Sequence, residues 1–360
     1  MRAYQLLLAA AVVAVAVAIA AAANRGHAKP QMMTDAVQRS ADGELASLGS
    51  ATEWLDSPPL TASELRGKVV LIDFGTYTCI NWLRTLPYIR AWAEKYKDNG
   101  LVVIGVHAPE FAFEKNLDNV RREVKALNLG FPVAVDNEHV IWRAFDNQYW
   151  PALFFVDAKG RVRHHQFGEG EYQQSEKLIQ QLLTEAGAND VSRDFVAPVG
   201  RGAEAPADFA NVKSAENYLG YERTERFASP GGAVQNVRRA YAVPAQLRLN
   251  EWALAGEWTM TKEAVTANAA NGRIVLRFHA RDVNLVMGPA TRGAAVRFRV
   301  RVDGHAPGAS HGVDVDADGN GIVSEQRMYQ LIRQSAPIDD RLFEIEFLGP
   351  GAEAFAFTFG

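Results

Sequence analysis

The pattern of hydrophobic residues changes once along this 360-residue chain, and that change limits the folds it can adopt. In residues 51–187, short apolar runs alternate with stretches whose apolar residues recur at helical spacing. This alternation is typical of an α/β layer structure. In residues 215–360, apolar and polar residues alternate with a period of two, as in strands with one face in a core. We therefore expect an α/β domain followed by an all-β sandwich.

Individual strands can be read from the same pattern. Apolar runs predict strands in the first domain at residues 69–74, 101–107, 131–135, 152–156 and 162–167. Strict alternation predicts strands in the second domain at residues 297–302, 343–347 and 355–359. Residues 188–214 are rich in Ala, Pro, Asp and Gly and predict a linker, and the polar residues 24–50 predict a tether.

The N-terminal segment indicates export. Residues 6–23 form an uninterrupted apolar run behind Arg2, with a length between that of a secretory signal and that of a minimal membrane span. Residues 1–23 are thus either a cleaved signal peptide or a retained anchor, and both place the protein outside the cytoplasm, in the periplasm or on the inner membrane. The net charge of -4 gives no sign of nucleic-acid binding.

Cys79 is the only cysteine, so an internal disulfide is excluded. It follows an apolar strand and opens an amphipathic helical stretch. Because a helix N-terminus stabilises anions, the sequence predicts that this thiol ionises readily. In an exported protein, an odd thiol indicates intermolecular chemistry.

Several residues around Cys79 complete a candidate site. Asp73 lies in the preceding apolar strand, where a buried carboxyl can relay a proton. Pro87 is expected to bend the helix, and Trp150–Pro151 precedes a strand at a point that suits a cis bond. Glu110 follows the end of a strand, where open α/β sheets gather functional groups.

These features together resemble the thioredoxin superfamily, in which a buried Asp, a motif Cys, a helix-bending Pro and a cis-Pro occupy the same relative places. The extra segment between residues 105 and 150 resembles the periplasmic TlpA/ResA-type branch. The chain most closely resembles DipZ-type proteins, and the resemblance covers all but about the first 50 residues. The matching segments are WLDSPPL (54–60), TYTCIN (76–81), GVHAPEFAFE (105–114), YWPA (149–152), YLGY (218–221), FHARDV (278–283) and YQLIRQ (329–334).

The resemblance implies a thioredoxin-like domain with a mixed central sheet and a jelly-roll-like sandwich that is similar to a carbohydrate-binding module. It also implies that Cys79, Asp73 and Pro151 are catalytic. We expect Trp82, Trp150 and Glu110 to line a substrate groove beside them. DipZ-type proteins carry a second motif cysteine where this chain has Trp82, and the resemblance does not extend to their membrane-embedded electron-transporting part. A mixed disulfide on Cys79 would therefore be resolved by another thiol, from a partner protein or a small thiol. The expected partners are thiol- or disulfide-bearing envelope proteins and small thiols.

Two other functions stay open at this point. Thr76 and Cys79 fit the Thr-x-x-Cys pattern of peroxiredoxins, which predicts single-cysteine peroxide reduction with Thr76 beside the sulfur. Alternatively, the fold is a redox-inactive scaffold whose sandwich binds a glycan or a protein. In that case the sugar faces would stack on the aromatic residues Trp252, Trp258, Tyr218 and Tyr221.

Residues 314–325 carry a second chemical motif, although no cofactor is required by the redox hypothesis. Their acidic spacing and central glycine match a calcium-binding loop. An acidic β-turn between two strands explains the same residues. The candidate calcium ligands are Asp314, Asp316, Asp318, Asn320 and Glu325.

Overall fold

The computed structural model describes residues 43–360. The predicted signal or anchor segment and most of the predicted tether lie outside these residues. The helices are α1 (Ile80–Tyr96), α2 (Leu117–Leu127), α3 (Val140–Ala144) and α4 (Tyr172–Glu185). The first six strands are β1 (Glu53–Leu55), β2 (Val69–Gly75), β3 (Leu101–His107), β4 (Val133–Val135), β5 (Ala152–Val156) and β6 (Val162–Phe167).

The remaining strands form a second group. They are β7 (Asn217–Tyr218), β8 (Arg238–Tyr241), β9 (Trp252–Met260), β10 (Val265–Ala267), β11 (Gly272–Phe278), β12 (Asp282–Pro289), β13 (Val296–Val302), β14 (Asn320–Val323), β15 (Arg327–Arg333), β16 (Arg341–Phe347) and β17 (Ala352–Phe359).

The first six strands form one mixed sheet in the order β1-β4-β3-β2-β5-β6. Strands β2, β3 and β4 are parallel, whereas β1, β5 and β6 run antiparallel to their neighbours. All seven residues of β2 are buried, because the strand lies inside the sheet with protein on both faces. The sequence pattern therefore predicts this sheet well: the five expected strands are all present, and only β4 begins later than expected.

Helix α1 carries Cys79 at its N-terminal cap and packs an apolar face on the sheet through Leu86, Ile89 and Trp92. Pro87 lies inside this helix. Because a proline has no backbone N–H, the carbonyl of Leu83 lacks its usual α-helical donor at this turn. Cys79 therefore stands at the start of a helix that is buried against the sheet along its length.

The chain before β1 differs from the expected tether over its last residues. Gly43–Ser50 form a 3-10 helix, and Leu45 and Leu48 are buried against the first sheet. These two leucines interrupt the polar composition at a spacing of one turn, so they have an apolar face to bury. The first domain thus begins earlier than predicted.

The second group of strands forms one antiparallel sheet in the order β14-β13-β16-β11-β9-β10-β17-β12-β15, with β7 and β8 at its sides. This sheet curls around a large apolar core. The curl brings distant strands face to face: the rings of Phe343 in β16 and Phe357 in β17 lie 5.7 Å apart although three strands separate them along the sheet. Alternation along each strand supplies the inward side chains, as the sequence predicts.

The two halves share an apolar contact. Phe355 of β17 packs against Phe111 and Phe113 of the first domain, with ring centroids 5.4 and 4.7 Å apart. Polar contacts flank it, including an Arg122–Glu325 ion pair at 2.8 Å. Residues 42–360 accordingly form one compact unit.

The segment that joins the two halves runs over the first domain. Glu204, in a short 3-10 turn of this segment, accepts a hydrogen bond from Arg90 of α1 at 2.9 Å. Val196 donates its backbone N–H to Glu176 of α4 at 2.8 Å. These contacts hold the joining segment in place, which helps to fix the second domain against the first.

Within residues 43–360, no helix combines the length and the apolar character needed to cross a bilayer.

The contact at Phe355 predicts that the two halves unfold together. We expect Phe355→Ala to lower the free energy of unfolding by about 3–5 kcal/mol, because it deletes a buried ring and leaves a cavity between the halves. Urea denaturation followed by fluorescence measures this change. Phe195→Ala, which truncates an exposed ring, is the control and should change stability by less than about 0.5 kcal/mol. A wild-type-like Phe355→Ala variant would show that the contact contributes little.

Candidate functional site

Cys79 opens into a cavity between the two halves of the protein. The cavity has a volume of about 410 Å³ and is lined by residues of both halves. From the first domain come Cys79, Ile80, Asn81, Arg84, Glu110, Gln148, Tyr149, Trp150 and Glu169. From the joining segment and the second domain come Phe209, Val212, Ser214, Glu216, Tyr218, Arg223, Thr358 and Phe359.

The structure reverses the expected ionisation of Cys79. The sulfur is partly exposed to the cavity, but the surrounding protein removes much of its water, and this burial raises the pKa of the thiol above its ordinary value. The charges of Glu216 and Glu110 raise it further, whereas backbone N–H groups at Trp82 and Asn81 lower it. The N-terminus of the helix therefore lowers the pKa of Cys79 as predicted, but burial has the larger effect. Cys79 consequently rests as the protonated thiol.

The sequence analysis expected Trp82 to line the groove. In the structure its side chain instead points into the protein. Its indole N–H donates to Asp73 Oδ2 at 3.0 Å, and both residues are buried. A Cβ atom at Gly75 would overlap the indole ring, so the glycine makes room for it. Burial raises the pKa of Asp73 to about 7, and the Trp82 hydrogen bond opposes that rise.

Asp73 consequently does not line the cavity. It is a buried carboxyl that accepts a hydrogen bond from an aromatic side chain. A proton therefore cannot pass directly through the cavity between Cys79 and Asp73, as the predicted relay would require.

Glu110 lines the cavity and joins the two halves. Its Oε1 accepts a hydrogen bond from the Tyr218 hydroxyl at 2.6 Å and pairs with Arg223 at 2.7 Å. The Arg223 guanidinium also stacks on the Tyr218 ring at 3.3 Å. Tyr218 and Arg223 belong to the second domain, so sequence analysis of the first domain could not find them.

A buried carboxyl, Glu114, positions the loop that carries Glu110. Its Oε2 accepts the backbone N–H groups of Glu110 and Phe111 at 2.6 and 2.9 Å. Its Oε1 accepts the hydroxyl of Thr78, the neighbour of Cys79, at 2.6 Å. Burial raises the pKa of Glu114 to about 7. This one side chain therefore ties the cysteine segment to the Glu110 loop, and the sequence analysis had assigned it no role.

Thr76 is fully buried and does not line the cavity. Its carbonyl accepts the backbone N–H of Cys79 at 3.1 Å, so the residue shapes the turn before α1. The peroxide-reducing hypothesis needs the Thr76 hydroxyl beside the sulfur, and this placement gives it no support.

Arg84 links the cavity wall to the second domain. Its guanidinium pairs with Glu169 at 2.6 Å and donates to the carbonyl of Phe359 at 3.3 Å. It also donates to Asn81 at 2.6 Å. Because its charge is matched by Glu169, Arg84 contributes shape and anchoring more than free positive charge.

The Trp150–Pro151 peptide bond is cis, as the sequence suggested. Trp150 lines the cavity and its indole N–H donates to the carbonyl of Ala108 at 2.9 Å. Pro151 is buried and does not line the cavity itself. Trp150, which the sequence analysis expected in the groove, thus forms this wall of the cavity together with its neighbour Tyr149, whereas Pro151, expected to be catalytic, does not line it.

The candidate calcium ligands do not converge. Asp314 pairs with Arg327 at 2.6 Å, and Glu325 pairs with Arg122 at 2.8 Å. Asp316 accepts the backbone N–H of Asn320 at 2.7 Å, in the turn before β14, and Asp318 makes the same turn. No three His, Cys, Asp or Glu side chains in residues 43–360 are grouped so as to hold a metal. The acidic β-turn is therefore the better explanation of this motif.

The aromatic residues proposed for glycan stacking are not available to a sugar. Trp252 and Trp258 are fully buried in the core of the second domain. Tyr221 packs against the same core, and Tyr218 faces the cavity. Period-two alternation predicted the strands but did not distinguish a binding face from the core face.

Comparison with known families agrees with the two halves of the structure. Residues 52–165 match a family described as the AhpC/TSA family. Residues 214–360 match a family described as the thioredoxin like C-terminal domain.

Relatives match one or both halves. Protein DipZ from Mycobacterium tuberculosis is 38% identical over 263 residues, which are 70% of this chain and 36% of that protein. The thiol-disulfide oxidoreductase YkuV of Bacillus subtilis is 29% identical over 133 residues, covering 37% of this chain and 88% of that protein. A solution structure of a thioredoxin-like protein in the oxidized form is 29% identical, with a TM-score of 0.35, over 37% of this chain and 90% of that one. The chain thus spans about a third of the length of the DipZ proteins that it matches.

The pairing of Trp82 with Asp73 predicts a pH-dependent change in stability. Because Asp73 keeps its proton in the folded state up to about pH 7, its contribution to stability falls as the pH rises towards that value. Trp82→Phe removes the donor that stabilises the Asp73 carboxylate, so the pKa of Asp73 rises. The free energy of unfolding of the variant therefore continues to fall at higher pH. We expect the variant to be destabilised by about 1–3 kcal/mol more at pH 9 than at pH 6 in urea denaturation.

The matched control is Trp92→Phe in the same helix, where the buried indole N–H has no hydrogen-bond partner. Its destabilisation should be the same at both pH values. If Trp82→Phe lowered the free energy of unfolding by the same amount at both pH values, the pairing with Asp73 would be contradicted.

Proposed function

We propose that this chain, which is similar to DipZ-type thioredoxin-like thiol–disulfide oxidoreductases, performs thiol–disulfide exchange through Cys79 alone. The observation that carries the proposal is the position of this thiol. It caps α1 and faces a cavity beside the cis Trp150–Pro151 bond. A sulfur at the end of a helix, open to a cavity, can reach an incoming disulfide in line.

The reaction begins with transfer of the Cys79 proton and attack of the sulfur on a substrate disulfide. A bond forms between Cys79 and one substrate sulfur, and the substrate S–S bond breaks. The departing sulfur takes the bonding electrons and a proton, so no external oxidant or reductant is consumed. The product is a mixed disulfide on Cys79 and one free thiol.

Resolution of the mixed disulfide then requires a second molecule. The chain contains no other cysteine, and Trp82 occupies the position from which a second motif thiol would attack. A thiol from solution or from a partner protein therefore attacks the Cys79 sulfur and releases it.

The cavity favours small or flexible substrates. Residues of the second domain cover one side of it, and the Phe355 contact and the joining segment hold that domain in place. A folded protein surface cannot enter a space of about 410 Å³, whereas a low-molecular-weight disulfide or an extended peptide loop can. We propose these as the substrate class.

Export is part of this proposal. The apolar run at residues 6–23 supports placement outside the cytoplasm, where disulfides form and persist. Exposed thiols and disulfides of envelope proteins, and small thiols, are then available as partners.

The proposal predicts a long-lived mixed disulfide. We expect the purified protein to gain one substrate half when it is incubated with 2-hydroxyethyl disulfide, and to keep it until a small thiol is added. Intact-mass spectrometry measures the adduct, and Cys79→Ser, which has no thiol, is the control.

Unfolding the wild-type protein in urea supplies a second reference, because the thiol is then freely accessible. If the unfolded protein forms the adduct and the folded protein never does, Cys79 does not perform exchange and the scaffold hypothesis is favoured.

A further inference from the structure

Glu216 differs from the other acids of the cavity. Glu110 pairs with Arg223 and Glu169 pairs with Arg84. Glu216 makes no ion pair in the described part of the chain, and its Oε2 accepts a hydrogen bond from the hydroxyl of Tyr218 at 2.9 Å. It comes from the second domain and lines the same cavity as the thiol.

One phenol proton lies between two carboxyl groups. The Tyr218 oxygen is 2.6 Å from Glu110 Oε1 and 2.9 Å from Glu216 Oε2. A tyrosine hydroxyl has a single proton to donate. When the hydroxyl donates to Glu216 it stabilises the carboxylate, and when it donates to Glu110 it leaves Glu216 without that donor, so the protonated form of Glu216 is then favoured. The geometry therefore makes Glu216 a carboxyl that gains and loses a proton easily.

The surroundings of Glu216 agree with this. The residue as a whole is exposed, but loss of water around its carboxyl raises its pKa to about 7, and the charge of Glu110 raises it further, whereas the Tyr218 hydrogen bond and the charge of Arg223 lower it. The charged groups that face it are Glu110 and Arg223 at the phenol, Arg84 and Glu169 across the cavity, and Glu225 and Arg226 on its other side. At neutral pH both of its protonation states are populated.

We propose that Glu216 is the acid–base group for Cys79: it accepts the proton of the thiol as the sulfur attacks a disulfide and returns it to the departing sulfur. The inference rests on the exchange reaction proposed above. The S–H bond of Cys79 breaks and an O–H bond forms on Glu216, across the cavity directly or through water. After the substrate S–S bond breaks, the same proton moves from Glu216 to the leaving thiolate, so charge and protons balance. The second domain thus completes the site.

Two roles for Glu216 predict opposite results when its charge is removed. As a mere negative charge near the sulfur, Glu216 disfavours the thiolate, and Glu216→Gln would make Cys79 react faster. As the proton acceptor, it is needed for attack, and the same variant would react about 100-fold more slowly at pH 7.5, the lower end of the range for general acid–base catalysis.

The experiment measures the rate of adduct formation with 2-hydroxyethyl disulfide as a function of pH. The wild-type rate should rise to a plateau with a midpoint near 7. The rate of Glu216→Gln should instead rise with hydroxide through that region. Glu222→Gln, which removes an exposed acid paired with Lys262, is the control and should follow the wild type. An equal or faster rate for Glu216→Gln would overturn the inference.

Tyr218→Phe provides a second test that does not alter Glu216. It keeps the ring under Arg223 but removes the hydroxyl that lowers the pKa of Glu216. The midpoint of the rate profile should therefore move to higher pH, whereas a purely structural effect would lower the rate at every pH without moving it. An unmoved midpoint would also overturn the inference. If the wild type forms no adduct at any pH, it is the exchange reaction that fails.

Discussion

Removal of water from around the Cys79 sulfur governs the behaviour of the whole site. A helix N-terminus stabilises a charge by about 0.3–1 kcal/mol, and by about 2 kcal/mol in favourable cases. Burial shifts the pKa of an ionisable group by as much as about 3–5 units, which is several kcal/mol. Residues of the second domain, including the acid Glu216, line the cavity beside this sulfur. Burial therefore exceeds the helix effect, and the thiol needs a proton acceptor before it can attack.

The need for a proton acceptor bears on Trp82, which stands where DipZ-type proteins have a second cysteine. In the first domain, Trp82 occupies the core and pairs with Asp73, and Gly75 provides the space for its ring. That arrangement withdraws Asp73 from the cavity. Proton transfer at Cys79 then depends on carboxyl groups that face the cavity, and Glu216 is the one without an ion-pair partner in the described residues. On the proposed mechanism, the two domains share one reaction centre.

The sequence predicted the framework better than the site. Strand and helix periods located the first sheet, because its strands are apolar runs, and the motif segments identified Cys79 and the cis bond at Pro151. Local patterns carry no information about which loop of a distant domain covers a cysteine, so Glu216 and Arg223 could not be found. The direction of the Trp82 side chain was equally hidden, since it depends on Gly75 and Asp73 together.

The most direct test of this account is a titration of the Cys79 thiol by its thiolate absorbance in the ultraviolet, with Cys79→Ser subtracted to remove the tyrosine signal. The account predicts a midpoint well above the value of about 8.5 for a free cysteine, and a return to that value when the protein is unfolded in urea. A midpoint at or below the free value in the folded protein would show that the helix terminus prevails over burial, and would contradict the central claim.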